Sequence, residues 1–349
     1  MQDFDTQAEL IKLGRLLNAA EQDIAFLAEA RAQDLRLLRK AMSHSLFNQG
    51  RKVFHKMAMG AKLLPHKLLV RTTAIYGPVL CARVASEMDP ERAIALAVSL
   101  ETEFLADVSI ALDPESTRDI IRGIPVEQVI AVAHQLLARD DHITMARFVD
   151  SLSDEVLSQT LDSIDDDAAL LHIGFFVEDK EHLNKAIVHV SDERLAGMVQ
   201  VCEAQGLWAE ILSLMEHMDQ PTRMRLANVA GQQDEKIHLS LLKAIEAQDM
   251  WPLVLDMVDA MDEQYRPAIA NLAAEQDDAL LIRLFEVAKS YEMWPLVLKV
   301  LAAMSEQHQQ HMAHLAHKVG ENPEQRRLLA KKLGLLDALN PFLETYEEA

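Results

Sequence analysis

Four histidines recur at every third residue near the end of the chain, His308, His311, His314 and His317. Imidazoles at that spacing are raw material for a transition-metal site, because adjacent pairs one turn apart on a helix can chelate. A three-residue step, however, sets each side chain about 60° back around a helix of 3.6 residues per turn. The four therefore diverge and cannot all face one ion. A second group, Asp162, Asp165, Asp166 and Asp167, gathers carboxylates of the kind that hold hard cations. It fits no EF-hand loop, and aspartates clustered at a helix start are equally explained by capping of free N–H groups. Neither group is assigned a metal. Cys81 and Cys202 stand too far apart to form a zinc or redox motif, and neither is assigned a nucleophile's role. No Walker A sequence, GxGxxG, GxSxG or HExxH occurs. No catalytic or cofactor-binding residue is assigned, and a non-enzymatic protein is expected; an enzyme with an unrecognised site is the outlying alternative.

Charge carries a stronger signal. Residues 31–75 hold ten Lys and Arg against one acid, Asp34; this segment is +9, so the rest of a chain of net charge −21 carries −30. Arg51, Lys52, Lys56, Lys62 and Lys67 are interleaved with Val53, Phe54, Met57, Met59, Leu63 and Leu64. On a helical wheel Phe47, Phe54, Met57 and Ala61 share one face. A basic amphipathic segment of this kind lies on anionic lipid or binds an acidic protein partner. The competing reading packs its apolar face on the neighbouring helices and leaves the lysines simply solvated. The five cations are the candidate interaction residues. A body of −30 disfavours nucleic acid.

The elements that must position these residues are helices. All three tryptophans, Trp208, Trp251 and Trp294, stand 43 residues apart, and Met250-Trp251-Pro252-Leu253-Val254-Leu255 returns unchanged from Met293 to Leu298. A period of this length marks stacked helical units. The fold class expected is all-α, an α-solenoid of short helices resembling HEAT and armadillo stacks in period, with an N-terminal helical region. Trp251, Leu253, Val254, Val258 and Met261 fall at helical spacing, which puts the rings in the core. Cys202 aligns with Ile245 and Ala288 and reads as core too. Ala227-Asn228-Val229-Ala230 recurs as Ala270-Asn271-Leu272-Ala273, then with His314 in the polar place. A repeated amide between small residues points to Asn228 and Asn271 bonding across units, since a buried amide needs its partners. Phrases such as Asp89-Pro90-Glu91, Asp113-Pro114-Glu115, Ser153-Asp154-Glu155 and Asp262-Glu263 supply caps, first-turn prolines and acids at the positive end of a helix.

Three regions follow. Residues 1–75 carry a heptad stripe, Leu10, Leu13, Leu17, Ala20, Ile24 and Leu27, and then the basic segment. The stripe either packs on a neighbouring helix or forms a homodimer seam over residues 10–27. Residues 76–320 form the repeat superhelix. Residues 321–349 cap it, starting at Asn322-Pro323 and closing with Leu335, Leu336, Leu339 and Phe342.

The stretch 88–164, with its phrases Asp89-Pro90-Glu91, Asp113-Pro114-Glu115, Ile124-Pro125-Val126-Glu127 and Ser153-Asp154-Glu155, resembles the cytosolic superhelical domain of MgtE-type magnesium transporters. That domain is similar in turn to segments of the flagellar switch protein FliG. No CBS pair or membrane domain follows. The resemblance implies a helical regulator or adaptor module and makes a divalent-cation-responsive module the alternative function. The leading expectation is a scaffold for protein partners, cytoplasmic and peripheral to a membrane through its basic region. The acidic start Met-Gln-Asp-Phe-Asp lacks signal-peptide character, and the longest charge-free stretches, Thr72 to Ala82 and Gln307 to His317 among them, run only 11 residues.

Overall fold

A computed structural model describes residues 4–188, 190–320 and 322–348, apart from the side chains of Lys180, Glu181 and Glu348. The chain is 77% helical, and the described residues hold 24 α-helices, one 3-10 turn and no strand, so the fold class is all-α. Two compact units divide it, Gln2–His189 and Val190–Ala349. The expected division at residue 75 falls inside the helix His66–Ala85, and the described residues 4–75 belong to the first unit.

The second unit is built from the 43-residue repeat. Its helices Trp208–Glu216, Trp251–Ala260 and Trp294–Ala302 each begin at a tryptophan. The helices before them end at Gln205, Gln248 and Ser290. Left-handed backbone then recurs at equivalent positions: Gly206 at φ 74°, Asp249 at 55° and Glu292 at 57°. Only the first is glycine, the residue that adopts this conformation without a Cβ penalty. Ser191, Asp234 and Asp277 cap the preceding helices by accepting from Arg194 N (3.2 Å), Ile237 N (2.9 Å) and Leu280 N (2.9 Å). A third helix completes each unit: Gln220–Gly231, Arg266–Ala274 and Glu306–Lys318. The phrase at Asp262 does not open its helix at once. The chain turns first and the helix starts at Arg266, whose side chain donates to Met261 O and Asp259 O, both at 2.8 Å, with Pro267 in the first turn.

The three rings are buried, and Phe285 stacks on Trp294 at 5.5 Å between centroids. Leu298, Leu301 and Met312 are wholly inaccessible. Asn322 caps the helix Pro323–Leu333, and Leu339, Phe342, Leu343 and Tyr346 close this core at its C-terminal end.

The first unit starts with the helix Phe4–Leu17, which packs on Ala32–Asn48 and touches Asp167–Phe176. The heptad stripe does not stay on one helix. Asn18 turns left-handed (φ 52°) and the chain re-enters as the short Glu21–Ile24 and a 3-10 turn. Leu13 and Ile24 point into this unit's own core, while Ile11 and Leu17 stay exposed. A seam over residues 10–27 is therefore not continuous. Gly50 (φ 77°) separates Ala32–Asn48 from the helix Arg51–Ala61, and His66–Ala85 follows, broken at Gly77 (φ 75°, ψ 169°) before Pro78. The phrase Asp113-Pro114 makes a turn rather than a helix, because the Ser116 and Thr117 hydroxyls both donate to Asp113 O. The next helix begins at Arg118.

Candidate functional site

The helix Arg51–Ala61 is amphipathic in two senses. Ala58 and Ala61 are buried and Phe54 and Met57 half-buried, facing its packing partner His66–Ala85. Phe54 and Phe47 each lie 5.5 Å from the Arg83 guanidinium, which also donates to Leu46 O (2.9 Å) and Phe47 O (3.2 Å) near the end of Ala32–Asn48. The opposite face carries Lys52, Lys56 and Met59 into solvent. Aliphatic and aromatic side chains stay exposed beyond it: Val53, Leu63 (86%), Leu68, Ile75 (81%), Tyr76 and Val79. Lys52, Lys56, Lys62, Lys67 and Arg71 are exposed beside them, and none makes an ion pair among the described residues. Arg51 differs, pairing with Glu87 at 2.6 Å. His66–Ala85 is the one described helix whose length and composition would let it cross a membrane. Its break at Gly77 and its packing on Thr102–Ala111 place it in this unit.

The earlier cations of the basic segment are spent internally. Glu9, with no exposed surface, accepts from Lys12 (2.9 Å), Arg36 (3.1 Å) and Arg39 (2.9 Å). Arg39 and Lys40 also pair with Glu178, and Lys40 with Glu115 at 2.8 Å. Burial alone raises the Glu9 carboxyl, but the Lys12 and Arg39 cations outweigh it and hold Glu9 below its ordinary range. Burial pulls the Lys12 ammonium below the usual lysine range against the pull of Glu9 and Glu178. Arg15 forks onto the Asp141 carboxylate, which Thr144 also donates to. Sequence patterning missed this cluster: Glu9 and Lys12 stand one turn apart like any exposed pair, and nothing local announces that three more charges from residues 36, 39 and 178 converge there.

Asp150, Asp179 and His182 bring three ligand-type atoms within 4.8 Å of one another. His182 Nδ1 lies 3.0 Å from Asp179 Oδ2 and 3.4 Å from Asp150 Oδ1. Burial pushes the Asp150 carboxyl above its ordinary value, with His182 opposing and Asp179 reinforcing. Of the aspartates singled out from sequence, Asp166 caps Asp167–Phe176 by accepting from Ala169 N at 3.0 Å, and Asp167 lies in that helix's first turn. The histidine row diverges to separate partners. His308 Nδ1 meets Asn271 Oδ1 at 2.8 Å, His311 reaches Asp278 at 3.1 Å, and His317 stands edge-on to Tyr346.

Asn228 Oδ1 accepts from Asp262 N and Asn271 Oδ1 from Ser305 N, both at 2.8 Å and both 34 residues away. These bonds tie one repeat to the next. Trp208 Nε1 donates to Ser240 Oγ at 2.8 Å, and the Arg326 guanidinium lies 4.2 Å from the Trp294 ring centre. Burial raises both thiols, Cys81 to about 11 and Cys202, with help from Glu210, to about 12, so neither is a thiolate near neutral pH. Comparison of the chain with family models, curated proteins and solved structures gave no match.

Proposed function

We propose that this chain is a non-enzymatic helical-repeat adaptor that docks on an anionic membrane surface through residues 51–79 and offers its HEAT-like C-terminal repeat to a protein partner. The supporting observation is the exposed set Val53, Leu63, Leu68, Ile75, Tyr76 and Val79 standing among Lys52, Lys56, Lys62, Lys67 and Arg71, which have no carboxylate partner among the described residues. Solvated lysines alone would need no such company. Apolar side chains that insert at the headgroup boundary, flanked by lysines that meet lipid phosphates, are what a peripheral surface requires. Each basic residue near an anionic leaflet contributes about 1 kcal/mol. Removing three therefore costs about 3 kcal/mol, more than a hundredfold in partitioning.

The test is flotation of the full chain with phosphatidylserine-containing and neutral vesicles, alongside the variant Lys52→Glu/Lys56→Glu/Lys62→Glu. Binding to the anionic vesicles alone, lost in the variant with an unchanged circular dichroism spectrum, is the expected result. Equal flotation of variant and wild type would remove the assignment.

A second reading, a module that responds to a divalent cation, is favoured by the grouping of Asp150, Asp179 and His182. Two carboxylates and an imidazole suit manganese or zinc better than magnesium. Melting temperature measured against each of the three chlorides decides it: the reading requires a shift beyond that of NaCl at matched ionic strength, absent in His182→Ala.

A further inference from the structure

Beyond the docking face, the first unit contains a cavity of about 190 Å³ between the helices His66–Ala85, Thr102–Ala111, Val126–Leu137 and His142–Val149. None of the 28 residues that line it is charged. Leu96, Leu100, Val108, Ile124, Val132 and Phe148 line this space and are only half-buried.

Of its few polar side chains, only the half-buried Gln128 amide is not already engaged on its own element. The Thr73 hydroxyl donates to Val70 O (2.7 Å), Ser109 to Leu105 O (2.9 Å) and Thr160 to Val156 O (2.7 Å), each on its own helix. The Cys81 thiol leans on Thr73 O at 3.7 Å, and burial keeps it protonated. A space this large would hold roughly a dozen waters, each wanting two to four polar partners, and one amide with three hydroxyls that already donate elsewhere cannot supply them. An extended peptide fails for the same reason, since its N–H and C=O groups would go unanswered. Left dry, the lining forfeits dispersion contacts along its length. An aliphatic chain meets every one of these conditions.

The wall also has a suggestive outer side. His66–Ala85 turns Thr73, Cys81 and Ala85 to the cavity, while Ile75, Tyr76 and Val79 of the same helix are exposed on the exterior. One helix thus separates the cavity from the apolar surface strip, and its backbone is broken between them at Gly77.

We infer that the cavity is a binding site for one long acyl chain, supplied as a free fatty acid or as the acyl arm of a lipid. This inference stands without the membrane-docking reading. Full-length protein is titrated with the fluorescent polyene cis-parinaric acid below its micellar concentration, and the probe is then displaced with saturated fatty acids of increasing length. Saturable one-site binding is expected, with the competitor tightening about fourfold per methylene until the cavity is filled and levelling off thereafter. Val132→Trp and, as a milder filling, Ala97→Phe place bulk in the cavity; each should weaken the probe at least tenfold with helicity and vesicle flotation unchanged. Ile75→Ser on the outer side of the wall should leave probe binding intact. Transfer of a parinaroyl phospholipid out of vesicles would identify a lipid arm as the ligand, and binding of the free acid without such transfer would identify the fatty acid. Absence of saturable binding, equal binding by wild type and both filled variants, or loss in Ile75→Ser alone would overturn the proposal.

Discussion

Glu9→Gln keeps the shape of a side chain with no exposed surface and removes its charge from among Lys12, Arg36 and Arg39. Removing one partner of a buried ion pair costs about 3–5 kcal/mol, because the remaining charge is left desolvated. Here Glu178 still faces Lys12 and Arg39, so the lower end, about 3 kcal/mol, applies. With a urea slope near 3 kcal/mol/M for a unit of this size, the midpoint should fall by about 1 M. All three tryptophans lie in Val190–Ala349, so their emission reports that unit while circular dichroism reports both. The expected result is an earlier dichroism transition with the tryptophan transition unmoved. Adding Lys12→Met to the variant should recover part of the loss by removing the surplus buried cation. The pH dependence has a definite sign. A carboxyl held below its ordinary 4.5 contributes stability that is complete above that value and is lost as pH falls through its folded-state pKa. The gap between wild type and variant should therefore be widest near neutrality and narrow below about pH 4.5. A dichroism midpoint within 0.2 M of wild type, an estimate of about half a kcal/mol, would refute the argument that this cluster holds the first unit together.

Three further outcomes are expected in the second unit, all read by tryptophan emission in urea. Glu292→Gly should raise stability by about 1 kcal/mol, since Glu292 sits at φ 57° where its repeat equivalent is Gly206; no gain would mean its side chain earns back the strain. Asn271→Ala should cost about 1 kcal/mol by leaving Ser305 N without its acceptor, and an unchanged midpoint would show that water replaces the amide. Gly231→Ala, ordinarily favourable in a helix, should here destabilise by about 1–3 kcal/mol, because the new Cβ would come within 2.9 Å of Tyr265 Cβ and 3.0 Å of Met261 Sδ; a more stable variant would contradict the packing at this junction.

The repeat was legible in the chain because each of its signals is local. Trp251 and Trp294 begin helices, Ser191, Asp277 and Ser305 cap them, and Asn322 opens the closing pair. Periodicity failed where a single backbone angle decided the outcome. The heptad stripe from Leu10 predicts one long helix, yet Asn18 turns left-handed, a conformation that asparagine tolerates and that no apolar count detects. The charge contrast over residues 31–75 was visible, but not its division. Arg36, Arg39 and Lys40 neutralise carboxylates brought from residues 9, 115 and 178, whereas Lys52, Lys56, Lys62 and Lys67 meet none among the described residues. Only tertiary contacts separate cations of the first kind from those of the second.

The two units satisfy the hydrophobic effect differently, and the difference bears on where function resides. In the second unit aliphatic residues from successive repeats fill one another's space, leaving Leu298, Leu301, Met312 and Phe342 with no accessible surface. In the first unit the helix His66–Ala85 has apolar side chains on its outer side and faces an apolar cavity on its inner side. Stability alone would favour collapsing the cavity and making the outer face polar, since both leave apolar surface unburied. Lysines spaced along the outer strip oppose self-association while the isolated chain is in water. The first unit retains both features, while Glu9, Lys12, Arg36, Arg39 and Glu178 are tied into one charge cluster. The two surfaces can be separated experimentally: Ile75→Ser alters the outer one and Val132→Trp the inner one, with the Glu9 cluster left intact.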